Sequence, residues 1–141
     1  MDEERILVKF KELESYLDEF EKVKPSNLED YGRSIKDRRA CERLLQISIE
    51  CVLDVCNILV SKLKSGMPAD EDDVLDKLED KKIITKEMKN ILHGMKGMRN
   101  ILVHKYGEVD NGTVFEMISE KLGDFDKFKE EILKFLNCEQ P

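Results

Sequence analysis

Turn-forming residues are scarce in this 141-residue chain, which holds 7 Gly and 3 Pro. No stretch alternates apolar and polar residues as a half-buried strand would. A turn-rich β fold is therefore excluded, and the abundance of Glu, Lys, Leu and Ile favours helix. Positive charge is also short, with 24 Lys and Arg against 31 Asp and Glu for a net charge of −7. That balance excludes a protein that coats nucleic acid by bulk charge. The four cysteines, at positions 41, 51, 56 and 138, form no C-x-x-C pair. No apolar leader follows the opening Met1-Asp2-Glu3-Glu4, so they are expected to be reduced thiols in a cytoplasmic protein. No window approaches about 18 uncharged apolar residues, so no membrane span is expected. The two histidines, His93 and His104, lie eleven apart, and no His, Cys or carboxylate set has ligand spacing. Neither a metal, nor any other cofactor, nor a Cys-His nucleophile is expected.

Hydrophobic residues make up 40% of the chain and charged residues 39%, enough apolar material for a core under a heavily charged surface. The length suits one domain spanning residues 1–141. Ile6, Leu7, Phe10, Leu13, Leu17 and Phe20 form the stripe of an amphipathic helix over 4–23, which Pro25 ends and after which Ser26 can begin a new turn. From Asp37 to Lys64 the chain is apolar around most of a helical circumference, which predicts the central helix. Its polar stripe of Gln46, Glu50, Asp54, Asn57 and Ser61 fits a narrow solvent-facing edge, or else a polar groove or subunit interface. Gly66 and Pro68 stop it, and Asp70-Glu71-Asp72-Asp73 suits the start of a short third helix running to about Asp80. Thr85 opens a fourth helix with an incomplete capping box, since the third residue after it is Met88, and Gly107 is its expected stop. A last helix, interrupted near Gly123, is expected from about Thr113 to Leu136. The result is an all-α bundle of about five helices.

Charge is unevenly placed in this chain. Between Lys81 and Tyr106 seven basic residues face Glu87 alone, a net +6, so the other residues carry −13. One basic helix on an acidic protein can draw in a phosphate backbone, or can be an ordinary solvated face. At its end the sequence reads Arg99-Asn100-Ile101-Leu102-Val103-His104-Lys105-Tyr106. An Arg holds a phosphate through two parallel hydrogen bonds, and an imidazole, with a reference pKa of about 6.5, moves protons near neutrality. These suffice to cleave RNA without metal: the ribose 2′-hydroxyl is the nucleophile, the imidazole assists proton transfer, and the guanidinium stabilises developing charge. Lys96 and Lys105 are the candidate RNA contacts.

Spacing constrains this site further. Asn100 and His104 are nearly aligned on a helix, as are Arg99 and Tyr106, but Arg99 and His104 diverge by about 140° at ~100° per residue. One regular helix cannot aim both at one phosphate. Either the last turn unwinds before Gly107, or a second copy of the same helix end faces the first across a twofold axis. Gly94 and Gly97, beside Met95 and Met98, would allow close helix approach there, though such glycines also occur in ordinary packing.

Arg99-x4-His104-x-Tyr106, with Asn100 directly after the Arg, resembles the R-x4-H-x-Y signature of HepT-type HEPN proteins. The helix order and the segment Glu42 to Glu50, followed by Asp54 and Asn57, are similar to that family's long second helix. The resemblance implies a homodimeric HEPN bundle that is the toxin half of a prokaryotic type VII toxin–antitoxin pair. It further implies a metal-independent RNase neutralised by an MntA-type nucleotidyltransferase that transfers AMP from ATP to the motif's Tyr. Carried onto this sequence, Arg99 and His104 are catalytic, Asn100 supports them, and Tyr106 is the modified residue. Some HEPN proteins act instead as non-enzymatic nucleotide- or substrate-binding partners, and that alternative stays open here.

Overall fold

Apolar residues on nearly every side of a long helix leave it one place to go, the middle of the molecule. In the computed structural model, which describes residues 2–63, 66–104 and 109–139, that helix is α3 (Ile35–Lys62). Leu45, Ile49, Val52, Val55 and Leu59 on it are almost wholly buried. Ser34 caps it by accepting the Asp37 N–H at 3.1 Å, so it begins two residues earlier than the sequence suggests. Among the described helices α3 alone is long and apolar enough to cross a membrane, and two thirds of its apolar window, 67%, is buried inside the protein.

Helix α1 (Asp2–Val23) lies along α3, with Ile6, Phe10, Leu13 and Phe20 turned inward. Asn27, rather than Ser26, caps the one-and-a-half-turn α2 (Leu28–Arg33) by accepting the Asp30 N–H at 2.8 Å. Helix α4 (Glu71–Asp80) is capped by Asp70, which accepts the Asp73 N–H at 2.8 Å. Helix α5 (Lys86–His104) begins at Thr85, whose Oγ1 accepts the Met88 N–H at 3.1 Å. The missing half of its capping box is supplied from another helix. Glu131 accepts the Thr85 N–H at 2.9 Å and the Thr85 hydroxyl at 3.2 Å, the task Glu or Gln performs locally in the usual motif.

The interruption expected near Gly123 is a full break between two helices, α6 (Asn111–Glu120) and α7 (Gly123–Glu139). Asp110 caps α6 by accepting the Thr113 N–H at 3.0 Å. The break lets Val114 and Ile118 of α6 and Phe125, Phe128, Ile132 and Leu136 of α7 all reach the core. Phe128 meets Phe10 of α1 edge to face at 6.2 Å, and Phe115 meets Tyr31 of α2 at 5.7 Å. The bundle is all-α, with seven described helices in place of about five because α2 and the α6–α7 break are resolved as separate elements. The stop expected at Gly107 lies outside the described residues.

Cys41, Cys51 and Cys56 are free and buried. Burial pushes the Cys41 and Cys51 thiols up to about 11 and the Cys56 thiol to about 12, so at neutral pH they are protonated and chemically quiet. In the polar stripe of α3, Asp54, Asn57 and Ser61 are exposed along a groove shared with Arg5 and Lys9, and Gln46 and Glu50 are half-buried. Asp54 pairs with Lys9 at 3.1 Å, Gln46 donates to Glu50 at 3.4 Å, and the Ser61 hydroxyl donates to the Ile58 carbonyl at 2.7 Å.

Candidate functional site

Helix α5 carries the Arg99, Asn100 and His104 constellation, and its residues sort into three strips. Met88, Leu92, Met95 and Leu102 are buried against the core. A second strip faces α4. There Lys89 Nζ lies 2.6 Å from Asp76 and 3.1 Å from Glu79, His93 Nδ1 lies 3.1 Å from Asp72, and Lys96 Nζ lies 2.7 Å from the same Asp72 oxygen. Arg99 Nη2 lies 2.5 Å from Glu71. The two helices run antiparallel, so acids at 79, 76, 72 and 71 meet bases at 89, 93, 96 and 99 in register. The bases recur at three- and four-residue intervals, which places them on one face.

The electrostatic consequences are local. The hydrogen bond from Lys96, helped by His93, holds the Asp72 carboxyl below the usual carboxylate range. Hydrogen bonds to Asp76 and Glu79 raise Lys89 above the ordinary amine value. Of the basic residues seen in the sequence, Lys89, Lys96 and Arg99 are thus answered by α4, and Lys96 in particular has its amine on Asp72 with 18% of its side chain exposed.

Arg99 is fixed on two sides. Its Nε donates to Asn100 Oδ1 at 2.9 Å and its Nη2 to Glu71 Oε1 at 2.5 Å. A guanidinium has five N–H donors, so donors remain for an anion while the group's plane is held. Glu71 was invisible as a site residue in the sequence, where it reads as one acid in a helix-capping run. The only signal was that α4 and α5 are both amphipathic and joined by a short turn, which makes them antiparallel neighbours.

His104 is exposed at the last described turn of α5. Because α5 is helical through His104, the unwinding that would bring Arg99 and His104 together within one chain is absent from this segment. The two side chains leave the helix about 140° apart. The third strip of α5 consists of Gly94, Gly97, Ile101 and His104, within an arc of about 80°. A Cβ added at Gly94 or Gly97 meets nothing within 4 Å outside its own helix backbone, and Ile101 is 39% exposed. This strip is open in the protomer. Lys105 and Tyr106 lie outside the described residues. Among the described residues no cluster of three His, Cys, Asp or Glu side chains can hold a metal ion.

Comparison with known proteins places this architecture. The fold matches the cytosolic protein YutE of Bacillus subtilis, with a TM-score of 0.83 at 24% identity over 99% of this chain and 94% of that one. It matches equally well, at 0.83 and 23% identity over 92% of this chain and 96% of that one, the tri-AMPylated HEPN toxin of Shewanella oneidensis in complex with its MNT antitoxin. At these identities the likeness is one of fold. In sequence, the chain is 32% identical over 121 residues to the tRNA nuclease HepT of Aphanizomenon flos-aquae, covering 86% of this chain and 82% of that protein. The model of the family described as "Ribonuclease HepT-like" matches residues 13–132. With most of its length matched by the family model and by a relative 32% identical, the chain belongs to the HepT-like ribonuclease family.

Proposed function

We propose that this protein is the toxin of a toxin–antitoxin pair and cleaves RNA without a metal, at a site completed by two protomers. The carrying observation is the geometry of α5: Arg99 is clamped against α4 while His104 stands on the opposite, open strip of the same regular helix. A single chain cannot direct both groups to one phosphate. Two copies meeting along Gly94, Gly97 and Ile101 would set His104 of each near Arg99 of the other. In that arrangement Arg99 stabilises the charge that develops on the phosphate oxygens, and Asn100 keeps its Nε side occupied. His104 assists proton transfer as the 2′-oxygen attacks phosphorus and the 5′-oxygen leaves, giving a 2′,3′-cyclic phosphate and a 5′-hydroxyl. Lys96 and Lys105 contact the RNA backbone, and Lys96 must exchange Asp72 for phosphate to do so.

Regulation follows the same site. The Shewanella relative of this fold is tri-AMPylated in complex with its antitoxin. By analogy Tyr106, two residues after His104, accepts AMP from a nucleotidyltransferase of the MntA type. Each added phosphate brings negative charge and bulk to the groove that RNA must enter. The nuclease name of the Aphanizomenon relative supports RNA as substrate.

The test is cleavage of single-stranded RNA by the purified protein in EDTA. We expect 2′,3′-cyclic phosphate ends, and a loss of about 10²- to 10⁴-fold in rate for His104→Ala with an unchanged circular dichroism spectrum. Equal rates for the two proteins would sink the nuclease reading. One observation favours the non-enzymatic alternative: Arg99 and Lys96 are already paired with α4 carboxylates. On that reading the cognate nucleotidyltransferase with ATP would add AMP to Tyr106, while RNA would survive at every protein concentration.

A further inference from the structure

The beginning of α5 is constructed unlike its end. Helix α4 closes with the Ile83 N–H donating to the Leu78 carbonyl at 3.0 Å and the Lys82 N–H to the Glu79 carbonyl at 2.9 Å. These are the paired bonds of a Schellman motif, whose left-handed residue is usually glycine. Here that residue is Lys82, at φ +59°, a backbone conformation that disfavours a side chain. Beside it a cavity of about 680 Å³ opens between the end of α4, the start of α5 and α7, lined by Lys82, Ile83, Ile84, Lys86, Lys134 and Phe135 among others.

The lining is two-natured. Ile83 and Ile84 are each 3% exposed and form an apolar floor, with Phe135 packed beside them. Among the described residues Lys82, Lys86 and Lys134 have no ion pair, whereas Lys9, Lys77, Lys89, Lys96 and Lys129 each hold a carboxylate. Of the two carboxylates on the cavity wall, Glu79 is paired with Lys89, while Glu131 accepts hydrogen bonds from Thr85 on the same wall and keeps its charge, leaving three amines against one carboxylate.

We propose that this cavity binds an organic phosphate with an apolar or aromatic body. The body rests on Ile83, Ile84 and Phe135, and the phosphate is met by the amines of Lys82, Lys86 and Lys134. Three amines exceed what one carboxylate balances, whereas a phosphate monoester carries close to two charges at neutral pH. The volume falls in the range of small-molecule sites, about 300–1,000 Å³. The site is distinct from the Arg99 and His104 region, because Lys86 and His104 are separated by about 27 Å along the helix.

The chain contains no Trp, so the fluorescence of 1-naphthyl phosphate can be followed without indole emission. We expect it to bind at least ~10-fold more tightly than inorganic phosphate or 1-naphthol, since each presents half of the recognition. Lys134→Gln should weaken it by ~5- to 10-fold. Lys82→Gly should weaken it as much while raising Tm by about 3 °C, because glycine accepts the left-handed backbone. Competition separates the sources of such a phosphate: displacement by AMP identifies a nucleotide, and displacement by hexyl phosphate a lipid-like chain. Inorganic phosphate binding as tightly as the naphthyl ester, unchanged affinity in both Lys variants, or displacement by neither competitor would overturn the proposal.

Discussion

One side of α5 is clasped and the other is bare. On the clasped side Lys89, His93, Lys96 and Arg99 meet four acids of α4. On the bare side Gly94, Gly97 and Ile101 lead to His104, and among the described residues nothing lies within 4 Å of a Cβ placed on either glycine. The contrast separates two properties that a charge count merges. Charges belonging to one helix tell how that helix is held, and only the unpaired ones tell what the surface attracts. The clasp orients Arg99, and the bare strip leaves room for whatever brings the partner of that Arg. A site divided between these two sides needs both to remain as they are, and each can be altered without touching the other.

The largest effect is expected from closing the bare side. At Gly97 an added Cβ meets nothing within 4 Å among the described residues, so the fold of the protomer should accept Gly97→Phe. An isolated helix gains stability when an interior Gly is replaced, by about 0.5–1 kcal/mol for Ala. If two α5 helices approach along this strip, Gly97→Phe holds them apart. Gel filtration should then report a monomer with intact helical content and cleavage lost by about 100-fold or more. Gly97→Ala separates the two terms, raising the thermal midpoint of the monomer while weakening association. An unchanged dimer and full activity in Gly97→Phe would place the second copy elsewhere.

Sequence pattern carried the helices that bury a continuous stripe, and the R-x4-H-x-Y end of α5 stood out by residue type. What it could not carry was any relation between helices. Glu71 is indistinguishable in sequence from the capping acids around it, yet it is the residue that holds Arg99. The incomplete capping box at Thr85 was legible, but its completion by Glu131, 46 positions later, depends on how α7 packs. The interruption near Gly123 was legible within the apolar stripe from Val114 to Phe135, but not that Lys121 and Leu122 turn the chain there into two separate helices. The basic charge of α5 is legible in sequence, and the pairing of Lys89, Lys96 and Arg99 with α4 is a tertiary fact.

Breaking the clasp at Arg99 should cost less than filling the bare side. Glu71→Gln keeps a hydrogen-bond acceptor of the same shape and removes the charge. The guanidinium loses its anchor but also a competing anion, so KM for RNA should fall while kcat drops by about 10-fold. That opposed change is the signature of a positioning group. Loss of kcat with an unchanged or raised KM would mean that Glu71 serves the fold of α4 instead. Glu71→Ala, which removes the acceptor as well, should lower kcat further and leave KM low.

The smallest effect belongs to Asp72, whose carboxyl joins Lys96 and His93 to α4. Its side chain is 49% exposed, and exposed pairs contribute little at neutral pH. Asp72→Asn should therefore lower the midpoint at pH 7 by no more than a few degrees, and less in high salt. Acid is the sharper probe. The carboxyl is held below its usual range, first by the Lys96 hydrogen bond. A depressed folded-state value means that the unfolded chain takes up the proton first. The contribution is complete above the unfolded value of about 3.9 and disappears as pH falls through the lower folded one. Wild type should lose midpoint more steeply than Asp72→Asn between pH 5 and pH 3, and the two curves should converge at the acid end. Parallel curves would show that the Asp72 pairing with Lys96 and His93 does not stabilise the bundle.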